Sequence, residues 1–228
     1  DGAWFLDTPT AGLTAQEIQE QQEASAKVNR PLNILRQRMQ TRYIPNCHSL
    51  ERSGYLERFG ETHPEYFALT AQGKRLTDKR ESVLAGNLCF LNPGFRETLY
   101  QDAKAFLTGV SAEERGVYMK RFDKCVWDQS AFQEGFFNIM PMDWFTPCHC
   151  DLCRERHQQP DKGGNIVWEL GVEVARRLQQ ENIPGYVTMM SYGHYTAPPP
   201  IEFPNNLLVM VAVSGPWEEG GPTQAASD

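Results

Sequence analysis

Five short apolar runs, separated by stretches of helical periodicity, limit this chain to an α/β fold with a parallel sheet. The runs are NILRQRM (33–39), NLCFL (87–91), FFNIMPM (136–142), YVTMMSY (186–192) and LLVMVAV (207–213). Each has the length and composition of a buried strand. Thr14 and Glu17 have capping-box spacing ahead of a helix over about 15–29. Asn92 followed by Pro93 opens a helix in which Phe95, Leu99, Ala103 and Phe106 recur at helical spacing. Ser111 and Glu114 form a second box, and Val167, Leu170, Val174 and Leu178 make one stripe after Asn165. Strands that alternate with helices are joined by crossovers, which makes neighbouring strands parallel.

Two architectures satisfy that alternation. Five strands fit an open doubly wound sheet. Loop lengths fit a (β/α)8 barrel better. The segments 40–86, 143–164, 193–206 and 214–222 follow strands and are long, whereas the connection ENIPG into the fourth strand is short. Elaborated loops at the carboxyl ends of strands are where a barrel carries its site. No glycine-rich phosphate fingerprint follows any strand, which weakens a nucleotide-binding reading. The expected organisation is an N-terminal helix and lead-in over 1–32, an α/β barrel region over 33–216 and a tail over 217–228.

Composition removes some partners. The chain has 228 residues and a net charge of −7. Its 22 basic residues are scattered, with no run longer than Arg176-Arg177, so it lacks the clustered cations that bind nucleic acid. No apolar run approaches the roughly 20 residues of a membrane span. Because the sequence starts at Asp1 without Met, any signal peptide or upstream region is expected to be absent from it.

The stretch MPMDWFTPCHCDLC, residues 140–153, concentrates the chemistry. Asp143 follows the third apolar run, where a barrel strand would place its carboxylate at the functional rim. It can act as the general acid of a glycosidase, with Trp144 and Phe145 excluding water, or cap backbone amides of its loop. A second carboxylate could come from Glu218, Glu219, Glu202 or Glu65. Cys148, Cys150 and Cys153 have ligand spacing suited to zinc, with His157, His149 or Cys47 as the fourth ligand. The alternative is a disulfide within the cluster or to Cys47. Cys125 precedes the third strand and is too far along it to join. A closed metal site would be structural and would hold the loop that displays Asp143.

Other candidates follow strands. His48, Tyr192 and His194 can contact sugar hydroxyls, and Trp144, Tyr195 and Trp217 can offer aromatic faces. Asn92 is a candidate ligand contact or a helix N-cap. Arg36 and Arg38 can meet an acidic sugar or form a buried ion pair. HPEYFALTAQGKR (63–75) reads as a structural loop and hairpin.

LRQRM with His48 soon after, THPEYFALTAQGKR, NLCFLNP, MPMDWFTPCHCDLC, MMSYGHYTAPPP and NNLLVMVAV occur in this order from about residue 33 to residue 213. Together they resemble a bacterial, typically secreted family known only as a domain of unknown function. That family is glycoside-hydrolase-like and often sits beside an N-terminal domain of the kind found on α-glucuronidases and β-hexosaminidases. The resemblance implies a (β/α)8 barrel whose earliest strands precede residue 33, so the chain is expected to be an excerpt or a compact variant. It implies a secreted or periplasmic location and a carbohydrate partner. The implied reaction is hydrolysis of a glycosidic bond with Asp143 as acid and no cofactor for catalysis. Two alternatives stand: a non-catalytic carbohydrate-binding or scaffold barrel, and a metal-dependent hydrolase built on the cysteines.

Overall fold

The computed structural model describes residues 44–46, 48–143, 145–160 and 163–211, with residues 14, 16, 17, 19, 20, 23 and 24 ahead of them. The chain divides into two compact units, Asp1–Tyr43 and Ile44–Asp228. In the first, the expected capping box is present. Glu17 Oε2 accepts from the Thr14 amide at 2.8 Å, and Thr14 Oγ1 accepts from the Glu17 amide at 3.3 Å. The expected strand 33–39, with Arg36 and Arg38, lies outside the described residues.

The second unit is mixed α/β. Its helices are α1 (Tyr55–Phe59), α2 (Pro93–Leu107), α3 (Ala112–Arg115), α4 (Asp151–His157) and α5 (Gly164–Gln180). A small antiparallel pair, β1 (Tyr118–Met119) and β2 (Lys124–Cys125), stands apart. The main sheet has the order β3-β4-β5-β6. Its strands are β3 (Phe132–Gln133), β4 (Phe136–Asn138), β5 (Tyr186–Ser191) and β6 (Leu207–Val211). β4, β5 and β6 run parallel, with Phe137 beside Val187 and Met189 beside Val209. β3 is antiparallel to β4, a hairpin that the apolar runs did not suggest.

The run 87–91 is not a strand. Leu88 makes one isolated antiparallel bridge to Phe67, and the Cys89 amide donates to Tyr66 O at 2.7 Å. The Asn92 amide then closes a turn onto Cys89 O at 3.0 Å. Leu88, Cys89 and Phe90 are buried because this turn dives beneath its neighbours and leads directly into α2. Burial on all sides produces the same apolar run as a central strand would.

α2 and α5 form as expected. Asn92 Oδ1 accepts from the Phe95 amide at 2.9 Å, and Pro93 fills the first position, where its missing N–H costs nothing. The stripe Val167, Leu170, Val174 and Leu178 is buried, as are Phe95, Leu99 and Ala103. Each fully buried Val, Leu or Phe side chain contributes about 1.5–3 kcal/mol. α5 lies close on the sheet at Gly171, where a Cβ would stand 3.0 Å from Met189 Sδ and 3.2 Å from Ile139 Cδ1. Ion pairs between Arg96 and Glu173 (2.7 Å) and between Arg177 and Glu97 (2.8 Å) cross-brace the two helices at their outer edges.

One charge is buried deeply. The Asp102 side chain is 1% exposed and meets Arg58 at 2.6 Å and Arg115 at 2.7 Å. This triad ties α2 to α1 and α3. Asp102→Ala would leave both guanidinium groups without their counter-charge. The expected loss is about 3–5 kcal/mol, read as a lowered urea midpoint. Asn92→Ala removes one cap and should cost only about 1 kcal/mol in the same measurement.

Candidate functional site

The site is assembled where β4 and β5 end. Beyond β4 the chain continues through Ile139, whose amide donates to Thr188 O at 3.0 Å. Met140 O then receives the amides of Ser49 (3.1 Å) and Leu50 (3.2 Å). Ser49 Oγ donates to Asn138 O at 2.9 Å, and Thr188 Oγ1 donates to Pro45 O. The described residues 44–46 and 48–50 are thereby laid across the carboxyl ends of both strands.

That segment delivers His48 to Asp143. His48 Nδ1 lies 2.9 Å from Pro141 O, and His48 Nε2 lies 3.2 Å from Asp143 Oδ1. A carbonyl oxygen only accepts, so Nδ1 carries a hydrogen. A hydrogen bond at the Nε2 contact would need one proton, on the imidazolium or on the carboxylic acid. The Asp143 side chain is 54% exposed and that of His48 is 19% exposed, so the carboxylate is the partner that faces outward.

Tyrosines flank the pair. The Tyr192 ring meets the imidazole edge-on at 6.0 Å and is itself 41% exposed. Tyr195 is buried, with its hydroxyl 3.9 Å from Met140 Sδ and its carbonyl accepting from Trp168 Nε1 at 3.1 Å. Burial, with the Tyr192 phenol and the Asp143 carboxylate nearby, pushes the Tyr195 phenol well up, so it stays neutral. Phe145 turns inward, 5.6 Å from Phe90 and 6.0 Å from Tyr195, and anchors the loop that carries Asp143.

The remaining candidates divide. Asn92 is committed to structure: besides its cap, Nδ2 donates to Glu65 O at 3.2 Å. Glu65 is exposed and pairs with His63 at 3.1 Å. Glu202 is exposed, and its carbonyl accepts from Arg176 at 2.7 Å. His194 sits in the turn Gly193–Tyr195 after β5, and its side chain lies outside what is described. Trp144, Trp217, Glu218, Glu219 and Cys47 also lie outside the described residues. The segment 63–75 is the structural loop and hairpin expected, with Tyr66, Phe67 and Ala68 buried and Leu69 bridged to Arg75.

Behind the lip, the cysteine cluster gains a member that spacing did not indicate. Cys89 joins Cys148, Cys150 and Cys153, and the four sulfurs all lie within 4.8 Å of one another. Cys89 Sγ is 3.6 Å from Cys150 Sγ and 3.5 Å from Cys153 Sγ. Of the expected fourth ligands, His157 is otherwise engaged. His157 Nε2 accepts from the Cys148 amide at 3.2 Å. Its ring is seated by Gly163, where a Cβ would fall 2.2 Å from Nδ1. His149 is exposed. Cys125 lies in β2 and takes no part, as expected. The described cysteines are all free, so no disulfide joins Cys148, Cys150 and Cys153. Hydrogen bonds from the Cys153 and Cys89 thiols, with the Leu69 amide at 3.3 Å, hold the Cys148 thiol far below its ordinary range. Donating to it pushes Cys153 well up and Cys89 up to about 12.

Over residues 13–214 the chain matches the family described as "Domain of unknown function (DUF4838)". It belongs to that family. No curated protein and no solved structure matches it significantly. Among the described residues of this DUF4838 domain, no helix is long and apolar enough to cross a membrane.

The His48 geometry has a direct test. Long-range proton–nitrogen spectra of the ring should show hydrogen on Nδ1 when the imidazole is neutral. A neutral ring with hydrogen on Nε2 would mean that Pro141 O does not set the tautomer.

Proposed function

We propose that this DUF4838 domain is a secreted or periplasmic, glycoside-hydrolase-like domain in which Asp143 is the general acid. The observation that carries this reading is the His48–Asp143 pair at the carboxyl end of β4, with its carboxylate facing outward beside Tyr192. Glycosidic bonds break when the leaving oxygen is protonated and the sugar's positive charge is stabilised. Asp143 delivers the proton from the shared position. His48, fixed through Pro141 O, keeps the carboxyl group aimed and exchanges the proton between turnovers. The exposed Tyr192 ring supplies an apolar face for a sugar's C–H groups.

The wider architecture in this reading is a (β/α)8-type barrel, supported by the parallel β4-β5-β6 order and by site residues on strand carboxyl ends. An N-terminal domain of the α-glucuronidase or β-hexosaminidase kind would accompany it in a longer protein. The second carboxylate is one of Glu218, Glu219, Glu202 and Glu65. A second reading is a non-catalytic carbohydrate-binding barrel. It is favoured by the exposed settings of Glu65 and Glu202, each in its own loop. A metal-dependent hydrolase is the least favoured, because four thiol ligands would leave no coordination position for a reacting water.

Asp143→Asn keeps the shape of the side chain and removes its proton. On glycosides with poor leaving groups, turnover should fall by about 10²–10⁴-fold. The loss should shrink for aryl glycosides with good leaving groups, which depart with less protonation. A full-length parent screened on aryl glycosides and uronides supplies the substrate. Wild-type turnover by Asp143→Asn on a poor leaving group would remove Asp143 as the acid, and an equal loss for all leaving groups would make it a positioning residue.

A further inference from the structure

We propose that Cys89, Cys148, Cys150 and Cys153 bind one zinc ion as a closed, structural tetrathiolate site. Three observations converge on it. Each residue offers one sulfur, and all four sulfurs fall within 4.8 Å of one another. Around a single tetrahedral zinc with bonds of about 2.3 Å, neighbouring sulfurs stand about 3.8 Å apart. The spacings of 3.5 and 3.6 Å from Cys89 already approach that figure and need only a slight expansion. A disulfide requires about 2.05 Å instead. An iron–sulfur cluster is several bonds wide and would hold its cysteines further apart than this set allows.

The surroundings fit a structural ion. Cys89, Cys148 and Cys153 are buried, and Ala68, Leu76, Leu69, Leu84 and Leu91 enclose them in a small apolar shell of their own. The Leu69 amide already points at Cys148 Sγ, the type of outer bond that orients a thiolate ligand. With four protein donors and an apolar shell, no position stays open for water, which separates this site from a catalytic one.

The ligands come from separate parts of the chain: the turn 87–91 and the loop that runs from Asp143 into α4. The ion therefore clamps the Asp143 loop to the turn that starts α2. The ion site stands on the sulfur geometry alone and does not need the glycosidase reading; its test measures metal and thiols, not turnover.

The full chain, purified under reducing conditions with zinc present and then desalted, is assayed by elemental mass spectrometry. About one zinc per chain is expected. A mercurial reagent should release that zinc in step with the thiols it consumes. Cobalt(II) exchanged into the site should give the intense charge-transfer and visible bands of a tetrahedral tetrathiolate. Cys89→Ser should lose the zinc and Cys125→Ser should keep it. Should Cys89→Ser fail to fold, the cobalt spectrum and the thiol count of the unaltered chain decide alone. Freely titrating thiols with no retained zinc would overturn the proposal. So would a disulfide between cluster members, iron in place of zinc, or zinc retained by soluble Cys89→Ser.

Discussion

The carbonyl oxygen of Met140 is the point from which the rim is hung. It lies just past β4, where the ladder to β5 is running out, and it accepts from two successive amides, Ser49 and Leu50. A strand end normally leaves such oxygens to water. Here they are spent on a second segment, so the carboxyl end of the sheet becomes a platform and not a frayed edge. Ser49 and Leu50, fixed to that oxygen, hold the backbone beside His48, and Pro141 O holds its ring. Tyr192 enters from β5, whose register with β4 is set by Phe137 beside Val187.

Two kinds of anchor hold the unit, and they differ in physics. The α2–α5 layer is held by non-directional burial of Leu, Val and Phe side chains, which tolerates small shifts. The Arg58–Asp102–Arg115 triad and the sulfur cluster are directional. Each joins segments distant in sequence, and each is costly to leave half-made. The triad ties helices α1, α2 and α3 together, whereas the sulfur cluster joins the loop that follows Asp143 to the turn ahead of α2.

Much of the local structure was legible in the residues. The boxes at Thr14–Glu17 and Ser111–Glu114 and the Asn92-Pro93 cap are short-range devices, and each formed as read. The α5 stripe was legible because one face of a long helix repeats every turn. The run 87–91 misled because complete burial erases the two-residue alternation that marks a strand. Cys89 lies in that run, and a core strand position conceals a ligand. What points to Cys89 in the sequence is that the C-x-C-x-x-C cluster supplies three thiols and a closed zinc site takes four. The hairpin of β3 and β4 is absent from the apolar-run reading, although Glu134-Gly135 between Gln133 and Phe136 has the length of a two-residue turn. His48 was legible as a loop residue, but its pairing with Asp143 spans a sequence separation that no local pattern encodes.

β6 carries a further implication. It is a run of Leu, Val and Met that pairs with β5 on one side and, among the described residues, with nothing on the other. Val211 at its end is largely exposed. Where the far edge of a strand such as this is left uncovered, its amides and carbonyls are free to accept a strand of matching register. The colloidal behaviour of this unit will therefore be governed by whatever covers β6. A preparation in which that edge is bare should self-associate at high concentration, independently of whether the Asp143 rim or the sulfur cluster is intact.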